Sequence, residues 1–359
     1  MARTVRHFSL HRLGGTELQV VSEIEVGTLP VIAAEEAVIR GYAAQGPWPH
    51  RSVTLFLLQD LQPLVRRLQP GADLPPGGAA ALDFRPVVNA YDLADLSSCH
   101  LFLNWHALQQ EQYADDPLAI QGLLAHEHGH PLAENETTRA SRRLRVSLAV
   151  QSWPGVGAEP GGGWLEQGHR REKLESLLAL LGDTLCAYAP REVFASEVAA
   201  RRGFAASLLH LNRRNLANTR RGLAGREKMR GQLRQEVSRG NLPPTAADLL
   251  LLVGDLKGYV DLGLEAAAFY RAGFPAEAEE LEGVLQAEVF PHLEPQVPRL
   301  YAALREQYVA LRPDLTPAEL KTWGRRVLKC LTEALAEDGL LVRYSLRMAN
   351  PRRTEDSRG

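Results

Sequence analysis

The sequence predicts an α+β fold, with a small mixed sheet and one chemically loaded helix followed by a mainly helical C-terminal part. Three observations lead there. Short β-branched or aromatic segments of strand length lie mostly in the first 105 residues. From residue 165 onward the apolar spacing is almost wholly helical. Between the two lies "LLAHEHGHPLAEN" (123–135), in which three histidines and a glutamate fall within five consecutive positions.

Taken in order, "ELQVVSEIEV" (17–26), "SVTLFLL" (52–58), "RPVVNAY" (85–91) and "CHLFLNW" (99–105) have the character of strands. "PVIAAEEAVIRGYAA" (30–44) and "LQDLQPLVRRL" (58–68) are expected helices, and "PGADLPPGG" (70–78) is a loop by its Pro and Gly content. "PGVGAEPGGG" (154–163) lacks the flanking strand and helix of a dinucleotide site and reads as a flexible connection. Helices are then expected over 169–188, 191–201, 204–222, 245–272, 276–289, 296–311 and 317–337. Thr316, Pro317 and Glu319 form a start signal for the last of these. "GLLVRYSL" (339–346) is read as a strand returning to the N-terminal sheet, and 350–359 as a disordered tail. A shift from basic to acidic composition at "SRGNLPPTA" (238–246) suggests a domain over 1–240 and a helical domain or extension over 241–349.

Composition narrows the class. At 359 residues one large domain or two unequal ones are expected, and 45% apolar with 23% charged residues excludes disordered and fibrous chains. A formal net charge of −2 excludes a chain basic throughout, though not a local basic patch. No segment has a secretory pattern and none approaches the ~18 apolar residues of a membrane span, so a cytoplasmic protein without membrane partners is expected. Cys99, Cys186 and Cys330 are far apart and unpatterned, which points to free buried thiols.

His126-Glu127-x-x-His130 has the spacing that a helix turns into two metal ligands and a base. Asp116 is placed to cap that helix and Pro117 to start it. Residues four apart share a face with Cβ atoms roughly 5–6 Å apart, so both rings can reach one Zn2+. Glu127, turned about 100° away, flanks the ion without having to bind it.

An extended apolar segment, a connection and a helix bearing "AHEHGH" resemble the zincin metallopeptidases, over roughly residues 85–222. The resemblance implies a zinc peptidase with Glu127 as general base and a protein or peptide as substrate. His128 stands where an apolar residue is commoner, and Pro131 is expected to end the helix.

No histidine follows at the short metzincin spacing, so a carboxylate is the expected third ligand. Asp183 is one candidate, the only charge after Glu175 in the apolar helix "LESLLALLGDTLCAY" (174–188). Glu197 is the other, interrupting an apolar stripe in "PREVFASEVAARRGFAASLLHLNRRNLAN" (190–218). That segment resembles the "ExxAD" helix of gluzincins of the prenyl-protein endopeptidase type. Arg201 replaces the family's Asp, and the family's membrane spans are missing. Glu192 ranks behind both.

Residues 201–240 hold ten Arg and one Lys against two Glu, with Arg213, Arg214, Arg220 and Arg221 repeating at seven. Such a stripe suits a nucleic acid, but more often pairs with acidic neighbours, and 276–288 supplies them. A zincin-like binding or regulatory protein without turnover is the alternative to the peptidase.

Overall fold

A computed structural model of the chain describes residues 5–25, 30–61, 85–152, 164–242 and 244–349. The loop expected over 70–78, the connection 154–163 except Trp164 onward and the tail 350–359 lie outside these residues, as does most of the helix expected over 58–68. The described residues form a mixed sheet toward the N-terminus and a helical C-terminal part, as expected. No helix among them is long and apolar enough to cross a membrane.

The chain folds into two units, each assembled from separated segments. One comprises Met1–Ala133, Glu192–Thr219 and Ala268–Val284; the other Glu134–Arg191, Arg220–Ala267 and Leu285–Gly359. The compositional change near 240 is not where they divide, because the helix Ala205–Ser238 starts in the first unit and ends in the second.

In the first unit, strands β1 (His7–Leu13) and β2 (Thr16–Ser22) form a hairpin. Gly14 takes φ +63°, the left-handed conformation that two-residue hairpin turns demand. β1 was not anticipated, since its histidines and arginine dilute the alternation of Phe8, Leu10 and Arg12. Helix α1 (Val31–Ala44) crosses to β3 (Ser52–Leu58), which pairs parallel with β2 and with β5 (Ser98–Asn104). β4 (Val87–Tyr91) lies antiparallel on the outer side of β5, giving the order β1-β2-β3-β5-β4. The register sets Val53 against Cys99, Leu55 against Leu101 and Leu57 against Leu103, six fully buried side chains on one face. The alternate face is less deeply packed, with Phe56, His100 and Phe102 only partly buried.

Helix α2 (Trp105–Gln110) is capped by the Asn104 side chain. Helix α3 (Pro117–Leu132) begins as its sequence dictates, with Asp116 accepting from the Ala119 N–H at 3.1 Å and Pro117 at the first position. Asp116 is also bound by His210 Nε2 at 2.8 Å and Arg214 Nε at 2.7 Å, both from α7 of this chain (α4, Glu136–Ser141; α5, Trp164–Asp183; α6, Ala189–Ala199; α7, Ala205–Ser238). Pro131 does not end α3 at once; the helix carries it inside and stops at Leu132.

Two glycines let other helices come close to α3. A Cβ on Gly122 would lie 2.4 Å from the Ser207 carbonyl oxygen, and one on Gly129 2.4 Å from that of Ala195. Seven residues apart, they share a helix face, and backbone meets backbone there.

In the second unit β6 (Leu144–Ser152) pairs antiparallel with β7 (Leu341–Met348) as a separate two-stranded sheet. The C-terminal strand therefore does not return to the N-terminal sheet as expected. Its partner is the unanticipated β6, whose Leu144, Val146, Leu148 and Val150 alternate toward the core. Helices α8 (Pro244–Ala272), α9 (Pro275–Val284), α10 (Gln296–Val309) and α11 (Pro317–Glu337) follow along the chain, with α9 and the end of α8 in the first unit, and α11 opens with the expected capping box of Thr316 and Glu319.

Candidate metal centre

Helix α3 presents His126 and His130 on one face, with ring centroids 4.8 Å apart and planes at 84°. The close approach at Gly129 brings α6 against that face. From α6, Glu192 extends its carboxylate between the two rings, with Oε2 3.1 Å from His126 Nε2 and Oε1 3.7 Å from His130 Nε2. One turn on, Ser196 Oγ lies 2.8 Å from His126 Nδ1 and fixes that ring's rotation. Glu192 Oε1 is buried and has no hydrogen bond.

These contacts set the electrostatics. Burial alone would raise the Glu192 pKa, but the His130 and His126 charges, the His126 hydrogen bond and Arg85 outweigh it and hold the carboxyl well below the usual range. Glu127 behaves oppositely. It is buried, and desolvation, aided by the Glu192 charge, pushes its pKa up to about 7 against the pull of His126, Arg85 and His128. Ligand-type atoms of His126, Glu127 and His130 lie within 4.8 Å of one another.

The Glu127 backbone is held as firmly as its side chain. Pro131 has no N–H, so it cannot give the Glu127 carbonyl its helical partner. Asn89 Nδ2, from edge strand β4, donates to that oxygen at 3.0 Å instead.

The donor set fits a zinc ion. Two imidazole Nε2 atoms and a carboxylate converge, one carboxylate oxygen lacks a hydrogen bond, and a second carboxylate stands beside them without being needed as a ligand.

The two carboxylates expected to complete the set have other partners. Asp183 belongs to the second unit and accepts from the Val146 N–H at 3.2 Å. Burial raises its pKa against that hydrogen bond and the Arg145 charge. Glu197 is buried, but between arginines, with Arg271 Nε at 2.7 Å and Arg201 at 2.8 Å. It interrupts the apolar stripe because Arg271, itself 4.8 Å above the Phe194 ring, neutralises it. Glu192, ranked last from sequence, is the carboxylate at the histidine pair. The signal available was the i, i+4 spacing of Glu192 and Ser196, which gives one helix face both an acid and a hydroxyl.

His128 turns away from this centre. Its Nε2 lies 2.7 Å from Glu35 Oε1, and both side chains are fully buried. Burial would lower its pKa, yet the Glu35 carboxylate and neighbouring Cys99 raise it to about 10.

The arginine stripe on α7 is paired. Arg213 meets Glu280, Arg214 meets Asp116 and Arg220 meets Glu288. Cys99 and Cys186 are buried free thiols as expected, while Cys330 is only half-buried.

No protein-family model matches the sequence, and neither a curated protein nor a solved structure matches the chain.

Proposed function

We propose that this chain is a zinc-dependent metallopeptidase of the zincin type, with His126, His130 and Glu192 as metal ligands and Glu127 as general base. The observation that carries the reading is the convergence of two Nε2 atoms and the Glu192 carboxylate beside a buried carboxyl whose pKa is near 7.

Zn2+ on these ligands supplies Lewis-acid chemistry, making water acidic near neutrality and polarising a carbonyl. Glu127 accepts a proton from the attacking water as the new C–O bond forms. It returns that proton to the departing amine nitrogen as the C–N bond breaks, leaving a carboxylic acid and an amine. Ser196 keeps the His126 ring in its ligating orientation.

A peptide substrate is supported by β4. It is the outer strand of its sheet, and no described strand pairs with its free edge, so an extended chain can add to it by main-chain hydrogen bonds. The pairing of Arg213, Arg214 and Arg220 with acids supports a solvated face over a nucleic-acid surface.

The test is cleavage of a complex peptide mixture by zinc-loaded protein, read by mass spectrometry, beside Glu127→Gln. New termini with wild type that vanish in the variant, zinc being retained in both, are expected. A wild type holding zinc that leaves every peptide intact would sink the peptidase in favour of a zincin-like binding protein.

A further inference from the structure

A second constellation lies on the opposite side of α3, in the same unit. His50 precedes β3, Cys99 is on β5, His128 is on α3, and one ligand-type atom from each lies within 4.8 Å of the others. His50 is 1% exposed, Cys99 and His128 0%.

Proton counting identifies which atoms face inward. His50 Nδ1 is 2.5 Å from the Leu96 carbonyl oxygen, which can only accept, so Nδ1 carries the proton and Nε2 a lone pair. His128 Nε2 faces the Glu35 carboxylate, so Nδ1 is the atom left to face inward, with a lone pair once the ring has lost its second proton. Neither His50 Nε2 nor His128 Nδ1 has a hydrogen-bond partner. Each buried polar atom left unsatisfied costs about 1–3 kcal/mol.

From this geometry we propose that His50 Nε2, Cys99 Sγ and His128 Nδ1 bind a second metal ion, a thiophilic divalent cation of which Zn2+ is the type. On binding, Cys99 and, from its charged form, the His128 ring each give up one proton to solvent, with no change of oxidation state. Both histidines already have the outer partner that orients a ligating ring, a backbone carbonyl for His50 and a carboxylate for His128. Charge favours a divalent ion, because 2+ balances the Cys99 thiolate and Glu35, whose Oε2 is buried without a hydrogen bond. Trp48 closes one side, its ring centroid 4.6 Å from that of His50 and 5.3 Å from that of His128. The ion would tie the sheet to α3, the helix that bears His126 and His130.

The test uses the full chain carrying His126→Ala and His130→Ala, so that only this site remains. After loading with Zn2+, about one zinc per chain is expected, with one sulfur at about 2.3 Å and nitrogens at about 2.0–2.1 Å by X-ray absorption. Cobalt in its place should show a thiolate charge-transfer absorption that Cys99→Ser removes. Glu35→Gln should weaken zinc binding about 10–100-fold. If the double variant does not fold, the wild type gives the same answer, with one sulfur for every two zinc ions. No bound zinc in a folded double variant, zinc without a sulfur neighbour, or loading by Cu+ and not Zn2+ would overturn the proposal. Each result is independent of peptide hydrolysis, so an inactive wild type with sulfur-bound zinc would refute the peptidase and leave this site standing.

Discussion

His126 and His130 on one face of α3 and His128 on the other are the same side chain two residues apart, in different surroundings. The first pair keeps some exposure and meets a carboxylate and a hydroxyl delivered by another helix. His128 is sealed, and meets a carboxylate from α1 and a thiol from the sheet. A partly open site with N and O donors leaves room for substrate, whereas a closed one offering N and S suits a structural ion. The comparison teaches that a ligand-rich segment is interpreted by what packs on each face, because three histidines within one and a third turns cannot all point the same way.

The contrast can be attacked most sharply at Glu127. Glu127→Gln should lower turnover by about 10²–10⁴-fold while zinc content stays level, as measured by initial rates and metal analysis. Next comes ligand identity. Glu192→Ala should weaken zinc binding by more than the ~10–100-fold that loss of an outer hydrogen bond costs, while Asp183→Ala and Glu197→Ala should leave the affinity unchanged. Competition with a chromophoric chelator reads all three, and zinc lost with Asp183 instead would break the assignment. Ser196→Ala should cost about 10-fold in the same assay by freeing the His126 ring.

Smaller effects test the packing that separates the faces. Gly129→Ala should destabilise by about 1–3 kcal/mol, because its Cβ would meet the Ala195 carbonyl oxygen at 2.4 Å. Gly222→Ala, in α7 with nothing within 4 Å, should instead stabilise by about 0.5–1 kcal/mol through helix propensity alone. Equilibrium denaturation of both variants checks the opposite signs.

Those signs also show where the sequence was readable. The start of α3 was legible because Asp116 and Pro117 act within one turn, and β3 because a buried strand is an apolar run. β6 was missed although Leu144, Val146, Leu148 and Val150 alternate with polar residues as in a half-buried strand, and its pairing with β7 joins residues nearly two hundred apart. Glu197 misled for the same kind of reason: its neutralising Arg271 is remote in the chain and no local pattern announces it. Glu192 reaches the histidines only because Gly129 lets α6 approach, and a glycine in a helix does not say which neighbour it admits. Local chemistry was legible, and docking was not.

The Asn89 hydrogen bond to the Glu127 carbonyl joins the edge strand to the turn of α3 that carries the base. Were a peptide to add to β4 as proposed, it would be referenced to the same backbone point as the Glu127 carboxyl, so a shift of the strand would carry both together. Pro131, by withholding its N–H, is what makes that common origin available.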